Sequence, residues 1–313
     1  MAAPLVTGGT GFAATHLIDL LLRESPRVHA WANPGGKAAP ADGRSISWAS
    51  VDILDRDAVR AEIARTRPSV IYHCAGVADV AASWSSPARA LKINALGTHH
   101  VVDAVQSAGL DCPVLITGSA LVYRPSTTAI SEESIVGPSS PYGLSKLAQE
   151  LAAQQSGARR VLIARPFNHA GPAQSDAYVT SSFARQIAEA EAGLTPAVLN
   201  VGNLESRRDI TDVRDTVRAY RLLVERGTPA RPYNVCSGQA YRIRDLLDIL
   251  VAMSRVTLEV RADPLRMRPS DNPVVLGDNR RIRAEVGWTP QIPIEQTLGD
   301  LLDYWRTRVD GLS

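Results

Sequence analysis

The chain reads as an α/β protein, a doubly wound parallel sheet followed by a smaller, mixed α/β C-terminal unit. Three observations carry that reading. Short apolar runs alternate with longer amphipathic stretches through the first half, a glycine-rich turn joins the first run to the first amphipathic stretch, and the alternation loosens after Arg165. Strand and helix in alternation imply parallel strands covered on both faces.

In order, "PLVT", "VHAWA", "ISWASV", "VIYHCA", "VLIT" and "RVLIAR" are short, β-branched and bounded by turn residues, the pattern of buried strands. Between them "HLIDLLLRE", "RDAVRAEIARTR", "SPARALKINALGTHHVVDAVQSAG" and "YGLSKLAQELAAQQSG" carry helical spacing. The Pro-, Gly- and Asn-containing loop "RPFNHAGPAQSDAY" marks a soft boundary, and further helices are expected at "VTSSFARQIAEAEAG", "RIRDLLDILVAMS", "RRIRAEVG" and "IEQTLGDLLDYWRTRV". The expected division is a first domain over 1–166, completed by about 204–230, and a second over 167–203 and 231–313.

A length of 313 residues suffices for a substantial core. A composition of 45% hydrophobic and 21% charged residues, with a formal net charge of +2, is that of an ordinary globular chain, and no basic tract suggests nucleic acid. No apolar run reaches the roughly 18 residues of a membrane span, and "PLVTGGTGF" begins too close to Met1 for a secretory leader. Cys74, Cys112 and Cys236 are too scattered for a disulfide framework and lack metal-ligand spacing, so a reducing cytoplasm and no metal are expected. Arginines cluster with carboxylates in "ESRRDITDVRD" and "LRMRPSDNP", which suits a phosphorylated small ligand or a solvated surface.

In "TGGTGFAATHLIDLLL", Gly8, Gly11 and Ala14 recur at every third position between strand and helix. Such a turn lets backbone N–H groups approach a pyrophosphate, and the helix N-terminus stabilises its charge, as in Rossmann-like folds. NAD sites usually end the second strand with a carboxylate, whereas NADP sites prefer a cation. Here Ala32 and Asn33 stand at that place, with Lys37 and Arg44 shortly after, so NADP is expected and NAD remains possible. Asp52, after the third strand, is placed either to meet the adenine or to cap a turn.

"SPYGLSKLAQE" puts Tyr142 and Lys146 on one face of a helix start. Bringing a phenol from pH 10 to about 7 requires roughly 4 kcal/mol of preference for the phenolate. An ammonium about 4 Å away supplies something like that at an effective dielectric of about 20. Ser119 follows the strand "PVLIT" at the edge where parallel sheets bind ligands, and its hydroxyl can donate to a substrate oxygen.

Taken together, "TGGTGFAA", "VDILD", "HCAG", "NALGT", Ser119, "SPYGLSK", "ARPFNHAGP", "RRDITDVRD" and "YNVCSGQ" resemble, in order, the extended short-chain dehydrogenase/reductases, also described as the NAD-dependent epimerase/dehydratase family. "RPFNHAGPAQ", "LNVGNLESRRDITDVRD" and "RMRPSDNPVVLGD" are most similar to its GDP-4-keto-6-deoxy-mannose reductases and GDP-mannose 4,6-dehydratases. The resemblance implies a catalytic Ser119, Tyr142 and Lys146, and a C-terminal unit that binds a nucleotide sugar. It implies dinucleotide contacts from Gly8, Gly11, Phe12, Ala13, Asn33, Lys37, Asp52, Ile53, Cys74, Ala75, Gly76, Asn94, Tyr142, Lys146 and Pro166. For the nucleotide sugar it implies Ser119, Asn168, Arg208 (or Arg207 in its place), Arg268 and Asp271.

Dehydratases of the family carry a Thr followed by acids where this chain has Ser119, Ala120 and Leu121, and neither alanine nor leucine can move a proton. The expected activity is therefore NADPH-dependent reduction of a carbon-4 ketone on a nucleoside-diphosphate 4-keto-6-deoxyhexose. Product would be a GDP-6-deoxyhexose such as GDP-rhamnose. An NAD-dependent 4-epimerase is the alternative, ahead of a 4,6-dehydratase or a non-catalytic dinucleotide sensor. Arg124 replaces a glycine common after the tyrosine of "VY", and His73 and His99 match no catalytic position. The family often dimerises through helices matching 86–108 and 142–156, so a homodimer is expected.

Overall fold

The structure, a computed structural model, describes residues 2–36, 45–157, 160–267 and 272–311. Its main layer is a seven-stranded sheet. Chain order contributes β1 (Leu5–Thr7), β2 (Val28–Ala32), β3 (Ile46–Ser50), β4 (Ile71–His73), β5 (Val114–Thr117) and β6 (Val161–Pro166), with Pro232–Val235 as the seventh strand. Across the sheet the order is Pro232–Val235, β6, β5, β4, β1, β2, β3, with every pair parallel. The chain runs outward from β1 through β2 and β3, then returns to build β4, β5 and β6 on the other side. The reversal between β1 and β4 leaves a crevice at the strand C-termini, where open α/β sheets bind ligands.

Alternation along each strand sorts its side chains between two cores. Val6, Leu115 and Leu162 face Leu17 and Ile18 of α1 (Phe12–Leu21), together with Val217 and Tyr220 of the helix Val213–Arg226. Leu5, Val114, Ile116 and Ile163 face Val59 and Ile63 of α2 (Arg56–Thr66), with Val101 and Val105 further along. Because both faces are covered, the strands read as continuous apolar runs.

The long stretch expected as one helix over about 86–108 is built in pieces. After α3 (Val80–Ser85), α4 (Pro87–Leu91) passes through a π-helical turn, Lys92–Leu96, into α5 (Gly97–Ser107). The widened turn carries Asn94, a placement common for π-bulges near functional sites. α6 (Pro141–Gln154) follows, capped by the Ser140 side chain, which accepts from Gly143 N–H.

Beyond β6 the strands are short and mixed. Asn168–Ala170, Arg207–Asp212, Ala240–Arg242 and Val274–Val275 form one sheet, while Val198–Val201 pairs with Glu259–Ala262. Helices Val179–Glu191, Ile243–Ala252 and Ile294–Asp310 enclose a third core around Phe183, Leu199, Leu246 and Leu301. The helix Val213–Arg226, which the sequence pattern left unassigned, returns the chain to the main sheet before Pro232–Val235.

Candidate active site

The first loop of the crevice is the glycine turn. Gly8 has φ +65°, and a Cβ there would lie 2.7 Å from the Ala75 backbone, so the turn can close on the loop after β4 only with glycine. Gly11 opens α1 without a side-chain cap, which leaves the first amides of that helix for a ligand. Phe12 stacks on His169, with ring centroids 5.7 Å apart, and so docks the "FNHAGP" loop onto the same helix start. Ala13 follows Phe12 on the opening turn of α1. An uncapped helix start behind a backbone turn too tight for a side chain fits the pyrophosphate of a dinucleotide.

Asn33 sits exposed just past β2, and Pro166 ends β6 on the same edge of the sheet. Asp52 takes the turn option at least in part, since its Oδ1 accepts Leu54 N–H at 2.9 Å, while the cap of α2 is Asp55. Ile53 is buried against Gly97, where a Cβ would meet its Cδ1 at 2.6 Å. Gly76 leaves room for Asn94, whose Oδ1 would be 2.6 Å from a Cβ. The Asn94 amide is committed to the protein. Its Oδ1 accepts Val77 N–H at 2.8 Å and its Nδ2 donates to Ser145 Oγ at 2.8 Å, so it pins the Val77 loop to α6. Lys37, Arg268 and Asp271 lie outside the described residues.

Ser119, Tyr142 and Lys146 converge at the ends of β5 and α6, all buried. The Ser119 side chain accepts Leu121 N–H at 3.1 Å, making it the cap of a short 3₁₀ turn, and its hydroxyl also acts on Tyr142, favouring the phenolate. It is therefore a turn residue whose hydroxyl is aimed at the phenol. Gly143 lets this turn pack on α6, since a Cβ there would fall 2.2 Å from Leu121 O.

The electrostatics correct one expectation. Burial pushes the Tyr142 phenol up to about 12, only partly offset by the Ser119 hydroxyl, so it is not brought down toward neutrality. Lys146 Nζ instead donates to Thr117 O at 2.8 Å and Gln149 Oε1 at 2.9 Å. Burial lowers this ammonium to about 8. The phenol thus stays protonated throughout the neutral range, the form that gives up a proton.

Several polar side chains at the site carried no signal beyond their place on a helix. The buried face of α6 presents Ser145, Lys146, Gln149 and Glu150 together, an unusual run of polar groups for an inward face. Glu150 pairs with Arg165 at 2.7 Å, Arg165 donates to Tyr123 Oη at 2.9 Å, and Tyr123 donates to Asn234 Oδ1 at 2.8 Å. That chain ties α6 and β6 to the "VYR" loop. Arg124, next along, is exposed and places its side chain over Gly137, 3.5 Å from where a Cβ would stand.

On the other side of the crevice, Asn168 is exposed, Arg207 is exposed and Arg208 is half-buried. Arg208 Nη1 donates to Arg207 O at 2.7 Å, and its burial lowers its affinity for the proton. The acids interleaved with these arginines are committed to the fold. Asp209 accepts Ser237 N–H at 2.7 Å and Gly238 N–H at 2.9 Å, and Asp215 accepts Gln291 N–H at 2.7 Å and Ile292 N–H at 2.8 Å.

A dinucleotide turn, a Ser-Tyr-Lys set and a doubly wound sheet define an NAD(P)-dependent oxidoreductase of the extended short-chain dehydrogenase/reductase type. Within that class, the chain belongs to the GDP-mannose 4,6 dehydratase family, whose model matches residues 5–301. It is 38% identical to a GDP-6-deoxy-D-mannose reductase of Pseudomonas aeruginosa, over 97% of each chain. A UDP-glucose 4-epimerase of Bacillus subtilis is 25% identical over 99% of this chain and 98% of its own. Among solved structures, RMD from Pseudomonas aeruginosa complexed with NADPH superposes with a TM-score of 0.86 at 35% identity, covering 98% of this chain and 100% of that one.

Proposed function

We propose that this enzyme uses NADPH to reduce the carbon-4 ketone of a nucleoside-diphosphate 4-keto-6-deoxyhexose, with GDP-4-keto-6-deoxy-mannose to GDP-rhamnose as the best match. The observation that carries it is the buried Ser119 beside Tyr142, where its hydroxyl favours the phenolate, followed in the chain by Ala120 and Leu121. This pair can protonate one oxygen, and its neighbours can move no second proton, so reduction fits and dehydration does not.

The dinucleotide supplies a hydride when bound. Tyr142 gives its phenolic proton to the oxygen at carbon 4, Ser119 hydrogen-bonds that oxygen as its charge develops, and burial keeps the site free of competing water. Lys146, held by Thr117 O and Gln149 Oε1, would meet the nicotinamide ribose with its ammonium. Gly8, Gly11, Phe12 and Ala13 would hold the pyrophosphate, with Asn33, Asp52, Ile53, Cys74, Ala75, Gly76 and Pro166 lining the rest of the cradle. Asn168 and Arg208 would meet the substrate diphosphate, where a bidentate guanidinium is most effective.

Leu144 and Leu151, a heptad apart on α6, are 48% and 47% exposed, and Leu96 nearby is 39% exposed. This apolar stripe supports pairing with a second copy through these helices. Three free cysteines suit a reducing cytoplasm.

A thermal-shift screen of GDP, UDP, dTDP and CDP, with and without NADPH, tests the ligand assignment. GDP with NADPH should raise the melting temperature most. A larger shift with another base replaces GDP in the reading.

A further inference from the structure

A buried line of hydrogen bonds runs from the catalytic lysine to the strand that launches the glycine turn. Lys146 Nζ donates to Gln149 Oε1 at 2.9 Å, and Gln149 Nε2 donates to Thr98 Oγ1 at 3.0 Å. Thr98 Oγ1 lies 2.8 Å from His73 Nε2, His73 Nδ1 lies 2.8 Å from Thr7 Oγ1, and Thr7 Oγ1 accepts Ala75 N–H at 3.2 Å. Gln149, Thr98, His73 and Thr7 are each 0% exposed. Thr7 is the residue before Gly8, and Ala75 is the backbone against which Gly8 closes.

Four polar side chains without access to water carry a desolvation cost that only mutual hydrogen bonding offsets. An apolar residue at each position would fill the same interior, so the line does more than pack. Lys146 Nζ is held between Thr117 O, at 2.8 Å, and Gln149 Oε1, at 2.9 Å, so the amide oxygen is the side-chain half of a pair that fixes where the ammonium points; because the Gln149 amide is itself held by Thr98, that oxygen is kept in place.

We propose that Gln149 is a positioning residue for Lys146, anchored through Thr98 and His73 to Thr7, so that the lysine is set for the cofactor by the same strand end that forms the phosphate turn. This rests on the reading of Lys146 as the cofactor-ribose group. Charged or titratable groups face the lysine from the packed elements: His73 at the end of β4, Cys74 just after it, and Glu150 from α6, with Arg165 of β6 behind Glu150. His73 stays neutral, since burial drives it down to about 3. Burial also raises the Cys74 thiol, to about 12, so neither His73 nor Cys74 titrates near the lysine; burial raises the Glu150 carboxyl too, offset in part by its pairing with Arg165.

The test is the pH dependence of NADPH binding, read by cofactor fluorescence without any sugar substrate, in the wild-type enzyme, Gln149→Glu, Gln149→Met and Thr98→Val. A carboxylate beside an ammonium favours its charged form by about 1–3 pH units. Gln149→Glu should therefore move the alkaline loss of affinity upward by that much, and Gln149→Met should move it below the wild-type value. Thr98→Val, which does not touch Lys146, should move it in the same direction as Gln149→Met by a smaller amount. Melting curves identify any variant that fails to fold, and Gln149→Glu, which keeps size and acceptor, carries the result in that case. An alkaline limb unchanged in Gln149→Glu overturns the proposal. Failure of the ketone-reductase reading would appear separately, as intact NADPH binding without turnover.

Discussion

Two polar segments flank the crevice, α6 with its Ser-Tyr-Lys partners on one side and Arg207–Asp215 on the other, and they use their charges differently. On α6 the buried polar face points its lysine and phenol at the ligand edge of the sheet. In Arg207–Asp215 the acids turn inward to hold loop amides, and Arg214 is spent on Asp212 and Asp300, at 2.7 Å and 2.6 Å. A dense run of charge therefore marks a ligand site less reliably than a few polar groups on an otherwise buried helix face. Arg208 is the exception, half-buried among braced acids.

The sharpest way to break this contrast is Tyr142→Phe. It should lower kcat by about 10²–10⁴-fold, the usual worth of a positioned acid, while leaving NADPH affinity and the melting temperature near wild type. Steady-state kinetics with parallel binding measurements checks it, and full activity would remove Tyr142 from the chemistry. Across the crevice the opposite split is expected. Asp209→Ala strands the Ser237 and Gly238 amides it now holds, so it should lose about 3 kcal/mol in urea unfolding, because each buried unsatisfied donor costs about 1–3 kcal/mol.

Within Arg207–Asp215, Arg208→Ala should raise KM for the nucleotide sugar by roughly 10–100-fold, the worth of about 1.5–3 kcal/mol in charge-assisted bonds. Arg207→Ala, at an exposed position, should change it little. Equal effects would erase the distinction drawn from burial.

The smallest effect is with pH. Lys146 is lowered to about 8, so its ammonium is lost as pH rises through that value, while Tyr142 stays protonated up to about 12. The value of kcat/KM for NADPH should be flat through neutrality and fall on the alkaline side, at about 8, since this parameter reports the free enzyme. The buried ammonium is a destabilising term below pH 8, and stability should recover between there and the lysine's unfolded value near 10.4. An unchanged profile to pH 10 would put Lys146 outside the cofactor contact.

Much of the main sheet was legible because its signal is local. Apolar runs such as "PVLIT" and "RVLIAR" are bounded by turn residues, and the glycines of "TGGTGFAA" need no distant partner to be understood. Ser119, Tyr142 and Lys146 were legible for the same reason: spacing and strand ends place them. What stayed hidden depends on pairing across the chain. The helix Val213–Arg226 is charged along its exposed side, which masks its apolar stripe, and Gln149 reads as an ordinary helix residue until Thr98 and His73 are brought beneath it. The Tyr142–Lys146 spacing suggested a lowered phenol, whereas Thr117 O and Gln149 draw the ammonium aside and burial acts the other way.

An exchanging NADPH that reduces a nucleotide-linked 4-keto sugar at Ser119 and Tyr142 should be visible in turnover itself. The most direct measurement follows NADPH absorbance on adding GDP-4-keto-6-deoxy-mannose, with product identified by NMR. One NADPH should be oxidised per GDP-6-deoxyhexose formed. No NADPH consumption, together with retained NAD and interconversion of carbon-4 epimers, would contradict it.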